Sequence, residues 1–521
     1  MKVAALAAVW TALFTTSAAA YTLQVYNVGG TNVRLHWPAA TLPVLMEIND
    51  QTGPQLPNVA AGSDPYGAVV RAVSRWQGIS GFGFQQGSTS VTSAGQDGHN
   101  VITFVDTPDN RNAIEMAGDP LGLTLSFFVN GELIESDVIF NPTVLFSTTV
   151  DTDTELFEKG LQDIETVATH EFGHVVGLHH TGVESATMWP LASVLGRTLD
   201  ADDVAGARAL YPSAQPGGTI SGTVTVAGQP AFGAQVVAVN AQGGIAASAL
   251  TLPDGTYAVE ALPADIYTVY AEPLDGPHAS IPDGTGCVRV GNLAGAGIYS
   301  GQELTTNFPT TFSGGNDLPN TFPVASGSVV PVDFALPSGV TAVNPTLIGP
   351  ATVDGGSISA QWFTSALGVA AGTEQWLIVG GPNFDQVGAA GITFSDAGIE
   401  VDSSSLHQLS GMCGGLQLPF IVFRATIAPT ALAGGRSLFL RVGSALSALT
   451  GGVRVQAATP TCGGDCDGNR VVTVDELLTM VTRALGTATT EPCPAGDASG
   501  DGQITVDEIL TAVGNALSSC P

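Results

Sequence analysis

Apolar positions in this chain recur with two different periods, and the point where one gives way to the other divides the sequence. Over residues 66–76, Val69, Val70, Val73 and Trp76 fall on one helical face. The run 101–106 (VITFVD) reads as a short strand. Residues 121–141 read as two strands around the turn at Asn130-Gly131. A helix is predicted over 161–177, and another from about 202 to 210 with Asp200 placed to cap it. After the turn-rich stretch 213–219 the helical period stops. Strand-like runs separated by Gly, Pro and Asp then fill 219–339, with a less regular insertion between about 276 and 325, and a similar pattern covers 341–458. Each of these two regions is expected to be a β-sandwich. The last segment changes again: residues 472–485 (VTVDELLTMVTRAL) and 504–517 (ITVDEILTAVGNAL) repeat at an offset of 32, so two copies of one loop–helix unit are expected.

Composition narrows the functions open to such a chain. With 46 acidic against 15 basic side chains, the formal charge is −31. That surface repels phosphate backbones and anionic lipid, so neither nucleic acid nor an acidic membrane is an expected partner. The first 20 residues carry Lys2, an apolar run too short to span a bilayer, and small residues up to Ala20. This is the pattern of a cleaved export signal. A secreted, extracellular protein without a membrane span is expected, and its six Cys (287, 413, 462, 466, 493 and 520) are expected in disulfides.

The chemistry concentrates at residues 170–180, HEFGHVVGLHH. Residues four apart on a helix stand about 6 Å apart along one face, so His170 and His174 can aim ring nitrogens at one ion. Glu171 lies beside that ion, where its carboxylate can take a proton from water. Gly177 can adopt the left-handed backbone that ends a helix, letting the chain return with His180 as third ligand. His179 competes for that role one residue earlier, but His180 is preferred and His179 is expected to face solvent. Three neutral imidazoles leave a fourth position for water, as a catalytic zinc requires. His36, His99, His278 and His407 stand isolated and are expected to be ordinary surface or core residues.

The long histidine motif followed by Met188 resembles the metzincin metalloproteases, and the spacing to Met188 is similar to that of the matrixins, the matrix metalloproteinases and their bacterial relatives. The helix ending at Trp76, the strand before DVIFN and the segment 199–212 resemble matrixin elements in matrixin order. The resemblance implies an apolar floor under the zinc at Met188, a substrate-pocket wall just after it, and a sheet edge at 123–127 (Leu123, Thr124, Leu125) along which an extended protein or peptide substrate pairs. It also implies latency by a prodomain Cys, yet no Cys precedes the motif. Residues 219–275 resemble a carboxypeptidase-regulatory or transthyretin-like sandwich, and 341–458 are generically immunoglobulin-like. Spacer or adhesion roles are expected of both.

The tail offers spaced oxygen donors in two loops. Asp497, Ser499, Asp501, Gln503, Thr505 and Glu508 fit the ligand positions of an EF-hand loop, with Gly502 at its sharp turn. Asp465, Asp467, Asn469, Val471, Thr473 and Glu476 fit the same pattern, except that Arg470 replaces the turn glycine. The pair resembles EF-hand and dockerin modules. That implies structural calcium and either a cohesin-like partner or a self-contained cap.

The expected architecture is therefore multidomain: an export signal (1–20), an α+β metzincin, matrixin-like catalytic domain (21–213), two β-sandwiches (214–340 and 341–458) and a small α-helical EF-hand/dockerin-like calcium domain (459–521). The expected function is a secreted zinc metalloendopeptidase with Glu171 as general base. The rival is a non-catalytic, calcium-stabilised adhesin or scaffold built on a retired protease domain. A third reading is a peptidase directed at its own chain or at a partner held by the tail.

Overall fold

The computed structural model describes residues 23–28, 31–79, 81–213, 216–274, 299, 303–339, 343–381, 383–388, 391–413, 416–456, 462–466, 471–484, 493–496 and 504–518. They fall into two compact units that divide after Val455. The export signal, the calcium-loop positions Asp467, Asn469, Asp497, Ser499, Asp501 and Gln503, and Cys287 and Cys520 lie outside the described residues.

The first unit begins with a five-stranded sheet in the order 84–89, 44–49, 101–103, 132–140, 122–129. Neighbours run parallel except the last pair, where Gly122–Val129 is antiparallel to Glu132–Phe140 and forms one edge. Five helices accompany it: α1 (Pro65–Arg75), α2 (Pro108–Met116), α3 (Asp153–Lys159), α4 (Ile164–Val176) and α5 (Ala201–Leu210). Helix α4 starts later than the apolar period suggested. Gln162 and Asp163 pair as a short strand with Phe146–Ser147, and the Asp163 carboxylate caps the helix by accepting from Thr166 N at 2.7 Å. Three large side chains fix α4 by donating to its backbone: Trp76 Nε1 to Thr169 O (2.9 Å), Trp37 Nε1 to Val175 O (2.8 Å) and Tyr211 Oη to Val176 O (2.8 Å).

Residues 218–336 form two five-stranded sheets, and 347–456 form a five- and a four-stranded sheet. The insertion in the first sandwich is partly sheet: Thr311–Phe312 and Phe322–Val324 both pair with Asp265–Glu272. The turn-rich stretch 213–219 is tightly packed at its end, since a Cβ on Gly217 would lie 2.3 Å from the Ala261 carbonyl carbon.

The sandwiches pack directly against the elements that precede them. Helix α5 lies on the strands Ile245–Leu250 and Thr256–Leu262. Its buried Asp202 carboxylate accepts from Thr181 Oγ1 (2.6 Å) and from Ser248 N (2.7 Å) and Oγ (3.1 Å). Val183 and Ala186 share an apolar cluster with Val237 and Tyr270 of the first sandwich and Phe439 of the second. Trp189 packs with Leu250, Leu274 and Tyr299. All six residues of Ile245–Leu250 are buried, as expected of a strand covered on both faces.

The second unit contains α6 (Val474–Ala484) and α7 (Val506–Ser518) around Cys462, Val472, Met480, Cys493 and Ala512. Cys466 is bridged to Cys493, and Cys462 is also disulfide-bonded. Glu476 turns both oxygens to backbone amides, of Cys466 (2.8 Å) and Thr473 (2.7 Å), and Glu508 accepts from Thr505 N at 2.7 Å. Each repeat therefore carries a Thr-x-x-Glu box at its helix start. No helix among the described residues is long and apolar enough to cross a membrane.

Candidate active site

Helix α4 enters the cleft with His170 and His174 one turn apart and stops at Gly177, whose φ is +110°. That glycine is required twice: by the left-handed backbone, and because a Cβ would lie 2.6 Å from Leu35 O. Beyond it the chain reverses, and His180 joins the pair. Ligand atoms of His170, His174 and His180 lie within 4.8 Å of one another, with ring centroids 4.9 to 5.1 Å apart. His179 is not in this group. Its ring is 6.1 Å from that of His174, and it is buried, against the expectation that it faces solvent. It accepts a hydrogen bond from His180 N at Nδ1 (2.7 Å), which locks the reversal.

The rings are held from behind. His170 Nδ1 donates to Thr187 O at 2.8 Å and His174 Nδ1 to Leu178 O at 2.9 Å, so each keeps an unprotonated Nε2. Burial pushes the His170 imidazole down to about 3, the neighbouring His174 adding to the effect, and holds His174 and His180 below the ordinary value. Three neutral imidazoles with convergent lone pairs are the donor set that a tetrahedral zinc accepts, so the residues present fit the ion.

Glu171 is buried, and burial pushes its carboxyl up to about 7, opposed by a hydrogen bond from the Thr124 hydroxyl. Thr124 Oγ1 donates to Glu171 Oε2 at 2.6 Å. Leu123, Thr124 and Leu125, the residues assigned to the substrate edge, all sit on the outer strand, and Thr124 turns its side chain to Glu171. Gly122 makes the room, since a Cβ there would lie 2.7 Å from Glu171 Oε1. Met188 lies under α4 with its sulfur where a Cβ of Gly173 would be, 2.1 Å away. Its turn is gripped by Asp203, whose oxygens accept from Thr187 N (2.8 Å) and Met188 N (3.0 Å). The cap at Asp200 was readable in the sequence; its reciprocal partner Asp203, the hold of Asp203 on the turn, and the parts played by Gly122 and Gly173 were not.

The three imidazoles, Glu171 and Thr124 line a cleft of about 580 Å³. One side is the edge strand 122–129. The other is a wall formed by residues 185–196, which includes Trp189, Leu191 and Leu195.

The matrixin family matches residues 55–212, and the carboxypeptidase regulatory-like domain matches residues 219–281. A hatching enzyme of Paracentrotus lividus is 30% identical over 159 residues, covering 30% of this chain and 24% of its own length. Metalloendoproteinase 1-MMP of Arabidopsis thaliana is 47% identical over 66 residues (12% of this chain, 18% of its own), and karilysin of Tannerella forsythia 45% over 49 residues (9% and 10%). The chain thus spans a quarter or less of the length of these relatives. Among solved structures, a major pilin subunit of Bacillus cereus covers 46% of this chain and 70% of its own, at 8% identity and a TM-score of 0.16, too slight a likeness to carry an argument. Residues 55–212 are thus similar to the matrixin family, and residues 219–281 to carboxypeptidase regulatory-like domains.

Proposed function

We propose that this chain is a secreted, zinc-dependent endopeptidase that cleaves extracellular proteins. The observation that carries the reading is the set of three imidazoles with two Nδ1 atoms tied to carbonyls, next to the buried carboxylate of Glu171. His170, His174 and His180 would hold the ion, which supplies the Lewis acidity that polarises a peptide carbonyl and acidifies water. Glu171 is the base: its carboxylate accepts the proton of the attacking water and passes it to the leaving nitrogen. Thr124 orients that carboxylate through its hydroxyl. Among the described residues, the strand Gly122–Val129 pairs on one side only, so its free edge can hold an extended substrate by backbone hydrogen bonds.

Incubation of the purified chain with unfolded casein, with and without a chelator, tests this. Wild type cleaves, and Glu171→Ala loses about 10³-fold or more in rate, within the range expected for a general base. Undiminished cleavage by Glu171→Ala removes the assigned base, and inactivity of the zinc-loaded wild type leaves the scaffold reading.

For the tail we infer calcium binding, supported by the 32-residue repeat of oxygen-rich loops. Calcium added to chelator-treated protein should raise the melting temperature of residues 456–521 by roughly 5 °C or more, consistent with ligand linkage. A flat calorimetric response excludes it.

A further inference from the structure

The wall beside His170 is held from outside the matrixin domain. Arg454 stands on the strand Ala445–Gln456 of the second sandwich. Its guanidinium reaches four carbonyls of the wall and of the segment that follows it: Nη1 donates to Ser185 O (3.2 Å), Leu195 O (2.8 Å) and Thr198 O (3.0 Å), and Nη2 to Leu199 O (2.9 Å). Its Nε lies 3.6 Å from the buried carboxylate of Asp200. Only a planar fork of fixed donors serves so many acceptors at once; a lysine is a single point.

The contact is built to be close. A Cβ on Gly435 would fall 2.1 Å from Ser185 Oγ, and one on Gly451 would fall 2.8 Å from Ser185 N. Glycine at both places lets the sandwich approach to the wall's own backbone. On the wall's other flank, Trp189 Nε1 donates to Thr364 O of the same sandwich at 3.0 Å. The held segment also leads to the metal ligands. Thr187 carries the carbonyl that orients His170, and its hydroxyl donates to Thr198 O at 3.1 Å, the same oxygen that Arg454 bonds.

We propose that Arg454 is a positioning residue for the cleft wall, so that the second sandwich sets which substrate side chains the wall pocket accepts. This rests on the peptidase reading above. Arg454 touches no substrate; it acts by fixing residues 185–199. Arg436, also buried and in the same sheet, supplies the contrast. Its partners are Asp396, Leu432 and Gly435, all within its own domain.

The test uses the full chain with Arg454→Met, Arg454→Lys and Arg436→Lys. Backbone hydrogen exchange is followed peptide by peptide, and cleavage is profiled on a mixed peptide library. Arg454→Met should raise exchange over 185–199 while leaving α4 unchanged. It should also change the kcat/KM ratio between good and poor library peptides about tenfold, the scale on which small misplacements of a site act. Arg454→Lys should fall between wild type and Arg454→Met. Arg436→Lys should lower the melting temperature and leave the ratio alone. If Arg454→Met does not fold, Arg454→Lys carries the same comparison. Wild-type exchange over 185–199, or a loosened wall with an unchanged ratio, overturns the proposal. If wild type cleaves nothing, the peptidase reading falls by itself, and the exchange data still decide whether Arg454 holds the wall.

Discussion

The two sides of the cleft are held in different ways. The strand Gly122–Val129 is positioned by its neighbour Glu132–Phe140 along its whole length, through a ladder whose turn at Asn130-Gly131 is local. The wall at 185–196 has no such ladder. It is fixed by Asp203 from α5, by an apolar cluster with the first sandwich, and by backbone contacts to the second. A side that reads a substrate's backbone needs only a regular edge. A side that reads side chains needs a shaped surface, and here the shape depends on residues far away in the chain.

The contrast can be broken most forcefully by removing the sandwiches. Residues 21–213 expressed alone uncover Val183, Ala186 and Trp189. A buried side chain the size of Val183 or larger contributes about 1.5–3 kcal/mol and Ala186 less, so melting should fall by roughly 10 °C or more, and the library profile should broaden. A fragment with full-length stability and profile would show that the wall stands alone.

A smaller effect should follow on the opposite side. Thr124→Val takes away the one donor shown on the Glu171 carboxylate, and an unsatisfied buried partner costs about 1–3 kcal/mol. A drop of about tenfold in kcat/KM is expected. Because the lost hydrogen bond opposed the rise caused by burial, the acid limb of the pH–rate profile should move to higher pH. An unmoved limb would remove Thr124 from the account.

The smallest effect concerns the seam between α5 and the first sandwich. Burial pushes Asp202 up to about 7, against hydrogen bonds from Thr181 and Ser248. The folded chain therefore holds that proton more tightly than the unfolded chain. The stability this contributes is complete below the ordinary carboxylate range and is lost as pH climbs toward about 7. Asp202→Asn should flatten the decline in melting temperature between pH 5 and 8, by roughly a few degrees. Equal slopes in scanning calorimetry of both proteins would contradict the shift.

Much of residues 55–212 was legible because the signals there are local. The i, i+4 spacing of His170 and His174, the stop at Gly177 and the cap at Asp200 each depend on residues within a turn or two. The hairpin at 122–140 was equally plain. The start of α4 was not, because Asp163 caps a helix whose preceding residues also look apolar and periodic. The burial of His179 has no local signal, because two adjacent histidines after a glycine offer no period to choose by. In the sandwiches, alternation reports one buried face and is silent about a second, so the packing of α5 on the first of them has no periodic signal. The run IAASAL at 245–250 did hold a clue: it has no charged residue to give to water. Gly122, Gly173, Gly435 and Gly451 make room for side chains or backbone up to roughly 270 positions away, and no local pattern encodes such a distance.

The strand bearing Arg454 is the last of its unit, and the guanidinium meets Leu199 across a separation of 255 positions. A ribosome releases the histidine helix long before it reaches that arginine. The clamp on the cleft can therefore close only when the unit's final strand has been made, which ties its completion to the schedule of synthesis.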